Sequence, residues 1–107
     1  MFDIQNLAES LDYREDSISS KTLIEKGGGA LTLYAFDRAQ GLGDHSSPFL
    51  TAIQLLEGKA EIRIDGQNKL MRDGDFVTIP ADTPYALHAI HQVKALIFRI
   101  NSSAAES

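Results

Sequence analysis

The chain has no cysteine. Disulfides, thiolate zinc sites and a cysteine nucleophile are therefore excluded. Excess positive charge is missing too: ten Lys and Arg stand against fifteen Asp and Glu, a formal net charge of -5, with no block of like charges. A phosphate backbone or an anionic membrane surface is a poor match for that balance, so neither nucleic acid nor membrane is expected as a partner. No apolar run is long enough to span a bilayer as a helix. The opening MFDIQNLAES lacks the basic region and apolar stretch of a secretory signal, which makes a cytoplasmic location the expectation. Low-complexity bias is absent, and 43% of the 107 residues are hydrophobic, enough for the core of one domain of 11.7 kDa.

Helical periodicity is also scarce. Only the start carries it. Asn6 followed by Glu9 fits a capping box, and Ile4, Leu7 and Leu11 share a helical face, predicting one or two turns that flank a sheet. From Ile18 the period changes to two. Strands are predicted at 20–25, 31–36, 51–56, 60–64, 69–71, 75–79, 85–90 and 93–100, with a loop over 37–43. Gly27-Gly28-Gly29, Glu57-Gly58, Asp65-Gly66 and Asp73-Gly74 supply turns, Asp65-Gly66 being a type I′ hairpin signal. The triple glycine is no phosphate cradle, because neither a Lys-Ser/Thr pair nor a helix follows it. Pro80 closes its strand, since it cannot donate to a ladder. About eight to ten short strands with almost no helix mean a sandwich or barrel. The division is a helical or extended flank at 1–17, a barrel at 18–100 and a flexible tail at 101–107.

Two stretches go further. Gly41-Leu-Gly-Asp-His45-Ser-Ser47-Pro-Phe-Leu-Thr51-Ala-Ile-Gln-Leu-Leu-Glu57-Gly58 resembles the first cupin motif: a glycine, His-x-His, a carboxylate a few residues on, and a closing glycine. Gly74-Asp75-Phe-Val-Thr-Ile-Pro80-Ala-Asp82-Thr-Pro84-Tyr85 resembles the second, in which a histidine follows Pro-x-Gly. The chain is similar, over roughly residues 20 to 100, to small single-domain cupins of the cupin 2, RmlC-like kind. That resemblance implies an all-β double-stranded β-helix, a jelly-roll barrel, with one short N-terminal helical turn.

It also implies a place for a divalent metal (zinc, nickel, iron or manganese), held by two histidines and a carboxylate of the first motif and one histidine of the second. Carried across position by position, only His45 remains. Ser47 takes the second place, Leu50 or Thr51 the carboxylate's and Tyr85 the last. One imidazole among protonated hydroxyls cannot match three or four nitrogen and carboxylate ligands, so the metal centre reads as degenerate and His45 is the one candidate ligand. Strand parity turns Asp44 and His88 away from the pocket, and His91 falls in a turn.

What parity places together is His45, Ser47, Phe49, Thr51, Ile53, Tyr85 and Leu87, predicted to line the barrel mouth. Three functions follow as expectations. The first is binding of a small organic ligand in that mouth. The second is an isomerase-, epimerase- or dioxygenase-like enzyme acting on a small carbonyl or sugar-type substrate, metal-dependent or metal-free with His45 and Tyr85 as an acid–base pair. The third is a dimeric interaction module with a filled barrel. A serine hydrolase is excluded, since neighbouring strand residues face opposite sides and no orienting carboxylate is evident. A homodimer is expected, with Val93–Ile100 pairing edge to edge or face to face with its mate.

Overall fold

The structure is a computed structural model and describes residues 3–101. Nine strands follow one 3-10 turn: β1 (Ile18–Lys26), β2 (Gly29–Phe36), β3 (Gly41–His45), β4 (Leu50–Glu57), β5 (Lys59–Ile64), β6 (Gln67–Arg72), β7 (Phe76–Ile79), β8 (Tyr85–Ala89) and β9 (Val93–Ile100). They form two sheets, a five-stranded one in the order β1-β2-β9-β4-β7 and a four-stranded one in the order β3-β8-β5-β6. Every pairing is antiparallel. The two sheets pack face to face as a jelly roll. Among the described residues no helix is long and apolar enough to cross a membrane.

The turns form where local chemistry demands them. Asp65 and Gly66 have φ of 50° and 81°, the two positive values that a type I′ hairpin between β5 and β6 needs. Gly58 has φ of 110°, and a Cβ there would lie 2.1 Å from the Gln92 carbonyl oxygen. The β4–β5 turn therefore admits only glycine while it packs on the β8–β9 turn.

Alternate residues fill the space between the sheets. Phe36, Ile53, Leu55, Ile62, Met71, Ile79, Tyr85, Leu87, Val93 and Ile97 belong to one buried cluster. Cross-strand register then assigns the two faces of the larger sheet. Thr32 opposite Ile97, Tyr34 opposite Ala95 and Phe36 opposite Val93 point inward; Leu33 opposite Leu96 and Ala35 opposite Lys94 point outward. Those outward residues are nonetheless buried.

The N-terminal flank explains that burial. Lys94 Nζ donates to the Ala8 carbonyl oxygen and lies 5.0 Å from the centroid of the Tyr13 ring. The Tyr13 hydroxyl donates to Glu57 Oε2 at 2.7 Å, and Lys21 Nζ reaches Gln5 Oε1 at 3.4 Å. Burial, followed by the Glu57 carboxylate, pushes the Tyr13 phenol well above its ordinary range. Residues 3–17 thus act as a strap over the back of the larger sheet.

Three expectations change. The flank holds only a three-residue 3-10 turn at Leu7–Glu9; Asn6 makes no side-chain cap, and Ile4 is 99% exposed instead of sharing an apolar face. Tertiary ties at Tyr13 and Lys94 fix this segment, and three residues of 3-10 helix have no continuous apolar stripe. The loop predicted over 37–43 contains the start of β3, whose pairing shifts between Leu42 and His45, opposite Leu87 and Tyr85. That bulge inserts a residue and breaks the alternation by which a strand is recognised. Finally, β9 has β2 on one side and β4 on the other, so it has no free edge for pairing with a second copy. Of the predicted tail, Asn101 donates its backbone N–H to the Gly28 carbonyl at 2.8 Å, and 102–107 lie outside the described residues.

Candidate functional site

His45 and Tyr85 are cross-strand partners at the end of the β3–β8 ladder. Their rings meet edge to face, with centroids 5.2 Å apart and planes at 83°. The β3–β4 connection carries Ser47, whose Oγ accepts from Phe49 N at 3.1 Å and whose carbonyl accepts from Asp82 N at 2.7 Å. This second bond joins the loop of the first motif to that of the second. Asp82 itself takes φ of 61°, a left-handed conformation that Asp tolerates better than most residues.

The seven residues expected at the mouth divide into two groups. Thr51, Ile53, Tyr85 and Leu87 are buried in the core. His45, Ser47 and Phe49 lie at its rim, His45 exposed and Phe49 37% exposed. Asp44 points outward and forms an ion pair with Arg63, while His88 and His91 are exposed.

The open space lies beside that group. A cavity of about 730 Å³ runs along the inner face of β1 and β2, lined by Ser20, Thr22, Thr32, Tyr34, Phe49 and Arg99. Sheet width accounts for its position. Five strands face four, so β1 overhangs its counterpart, and its inward Ser20 and Thr22 stay exposed. Ser20 pairs with Tyr34 and Thr22 with Thr32, which sets four hydroxyls on one wall.

Arg99 is the cavity residue that motif reading misses. It continues the inward phase of Val93, Ala95 and Ile97 and sits opposite Thr51 on one side and Ala30 on the other. Its shared parity with Val93, Ala95 and Ile97 was the signal in the sequence, masked by its place near a strand end. It shares the cavity wall with Tyr34, whose ring is stacked on Phe36 at 5.5 Å and 7°. Burial works to lower the Arg99 pKa, but Tyr34 and then Tyr85 outweigh it and the net shift is upward. The Tyr85 phenol is likewise raised, by burial above all, with the charge of Arg99 opposing. Tyr85 Oη is buried and makes no hydrogen bond of normal geometry among the described residues, so Arg99 acts on it mainly through charge.

A second cleft, of about 510 Å³, opens between edge strands β6 and β7. Leu70 and Phe76 border it, and its charged groups, Asp65, Lys69 and Asp75, are exposed. Asp75, Phe76 and Val77 of the second motif line it, but His45, Ser47, Thr51 and Tyr85 do not.

A divalent metal does not fit the residues present. Among the described residues no three His, Cys, Asp or Glu side chains converge, and the His45 ring packs edge to face on Tyr85. One neutral nitrogen beside hydroxyls is too weak a donor set.

The two antiparallel sheets, their strand order and the paired motif loops are those of a small cupin domain. Solved structures agree. The chain is similar to a conserved protein of unknown function from Streptococcus pyogenes, with a TM-score of 0.87 and 28% identity over 92% of this chain and 86% of that one. It matches a cupin 2 conserved barrel domain protein from Leptotrichia buccalis with a TM-score of 0.85 and 28% identity, covering 90% of this chain but 47% of the other, about half its length. A cupin superfamily protein from Desulfitobacterium hafniense gives a TM-score of 0.85 at 22% identity, over 88% of this chain and 86% of that one. No protein-family profile matches the sequence, and no curated protein does.

Proposed function

We propose that this cupin domain binds a small organic ligand in the cavity beside its barrel mouth, where Phe49 alone of the seven expected mouth residues takes part, holding it with side chains and without a metal. The observation that carries this reading is the cavity of about 730 Å³, walled by hydroxyls of β1 and β2 and backed by an inward arginine. Convergent polar groups that fix orientation are part of the usual build of a small-molecule site, and Ala30 and Phe49 supply apolar contact here. An acid–base role for His45 and Tyr85 has their edge-to-face contact in its favour. Burial, however, makes Tyr85 a weaker proton donor than a free phenol.

The test is thermal unfolding in excess chelator against a set of small acids, sugars and their neutral analogues. A ligand at about 100 times its Kd should stabilise by about 2.7 kcal/mol, which raises Tm by roughly 10 °C or more. Thr22→Trp, at an exposed position of the wall, should remove that shift and leave the unliganded Tm within a few degrees. Equal ligand shifts in Thr22→Trp and the unmodified protein would place binding elsewhere.

A further inference from the structure

We infer that the cavity along β1 and β2 takes an organic carboxylate, its anionic end held by the Arg99 guanidinium and its other oxygens by the hydroxyls of Tyr34, Ser20, Thr22 and Thr32. The inference rests on the reading of this cavity as a ligand site and adds the chemistry of what enters.

The first observation is an inward cation without a counter-charge. Arg99 is half-buried on the inner face of a central strand, and among the described residues the one ion pair is Arg63 with Asp44. Withdrawing a guanidinium from water without an acidic partner is costly, and an incoming anion recovers that cost. The second is the set of donors on the wall. Arg99 and Tyr34 both line the cavity, where a guanidinium carries only N–H donors and a phenol adds an O–H. The Arg99 fork and Tyr34 O–H therefore offer N–H and O–H donors to one acceptor group, the arrangement that suits a planar carboxylate.

The third observation concerns charge. Besides Arg99, the cavity wall carries only Lys26 and Glu25, near the β1–β2 turn, and these offset each other. A net single positive charge suits a monoanion better than a phosphate dianion. The hydroxyl pairs Ser20–Tyr34 and Thr22–Thr32 then face the body of the ligand, which should carry hydroxyl or carbonyl oxygens.

Isothermal titration in chelator, with gluconate and lactate paired against glucose and lactamide and with inorganic phosphate as a separate arm, tests this. At least one carboxylate should bind and its neutral partner should not. Arg99→Gln should weaken that binding by about 10- to 100-fold, the scale of a lost charged hydrogen-bond pair. Arg99→Lys, which keeps the charge but lacks the fork, should recover part of it, and Tyr34→Phe should cost several-fold. Circular dichroism melts of the three variants verify folding, and a shift of the Arg99 side-chain Nε–H resonance on titration locates the anion.

Equal binding of glucose and gluconate, unchanged by Arg99→Gln, would overturn the carboxylate inference and leave the ligand-site reading standing. Arg99-dependent binding of phosphate alone would overturn it as well. Failure of acids and neutral compounds alike would remove both.

Discussion

Replacing Tyr85 by phenylalanine removes one oxygen from the interior and keeps the ring that meets His45. The side chain is 1% exposed, and its Oη has no hydrogen-bond partner of normal geometry among the described residues. An unpaired buried hydroxyl costs about 1–3 kcal/mol, and the attraction of Arg99 for the oxygen returns part of that. Tyr85→Phe should therefore stabilise the ligand-free domain by about 1 kcal/mol, which for a chain near 100 residues is an increase of about 4–8 °C in Tm. The gap should widen in alkali. Burial raises the Tyr85 pKa above its ordinary 10.0 in the folded state, so its contribution is fully present below pH 10 and is lost as pH rises toward the folded value; phenylalanine has no such loss. Differential scanning calorimetry at pH 7 and pH 10.5 measures both effects. A Tm that falls by about 4 °C or more at pH 7 would refute the reasoning, because it would mean that the hydroxyl is satisfied in solution.

Asp37 gives the opposite pH dependence. Its carboxylate accepts from Gln92 Nε2 at 2.9 Å and from Asp16 N at 2.7 Å, which with the Arg38 backbone holds its pKa below the usual 3.8. Its contribution is present above that value and is lost as pH falls, so Asp37→Asn should flatten the acid limb of a pH-stability curve; identical acid limbs would count against the assignment. Gly58→Ala should lower the unfolding free energy by more than about 2 kcal/mol, since its Cβ would meet the Gln92 carbonyl at a positive φ. Denaturant titration checks this, and a loss below about 0.5 kcal/mol would show that the β4–β5 turn is not pinned there.

Much of the barrel was legible because its signals are local. Asp65-Gly66 names its own turn type, and the last strand fell at 93–100 because turn residues precede it and apolar residues fill it. The start of β3 was illegible for an equally local reason: a bulge between Leu42 and His45 shifts the phase that would have marked it. His45 and Tyr85 were placed together by motif position, and their rings do meet. The cavity was a different matter. Its place follows from one sheet being a strand wider than the other, a long-range property that no window of sequence contains. Arg99 shows the same limit, because a charge near a strand end reads as an exit to solvent until the register with Thr51 and Ala30 fixes its direction.

The position of β9 has a consequence for how the protein is made. Within the larger sheet the β1–β2 hairpin and the β4–β7 pair touch no common strand except this one. A nascent chain that has emerged only as far as residue 92 thus carries two half-sheets with raw, unzipped margins, and nothing can join them until residues 93–100 slide between. Synthesis should accordingly pass through a sticky stage, sensitive to chaperone supply, which ends when β9 closes the gap.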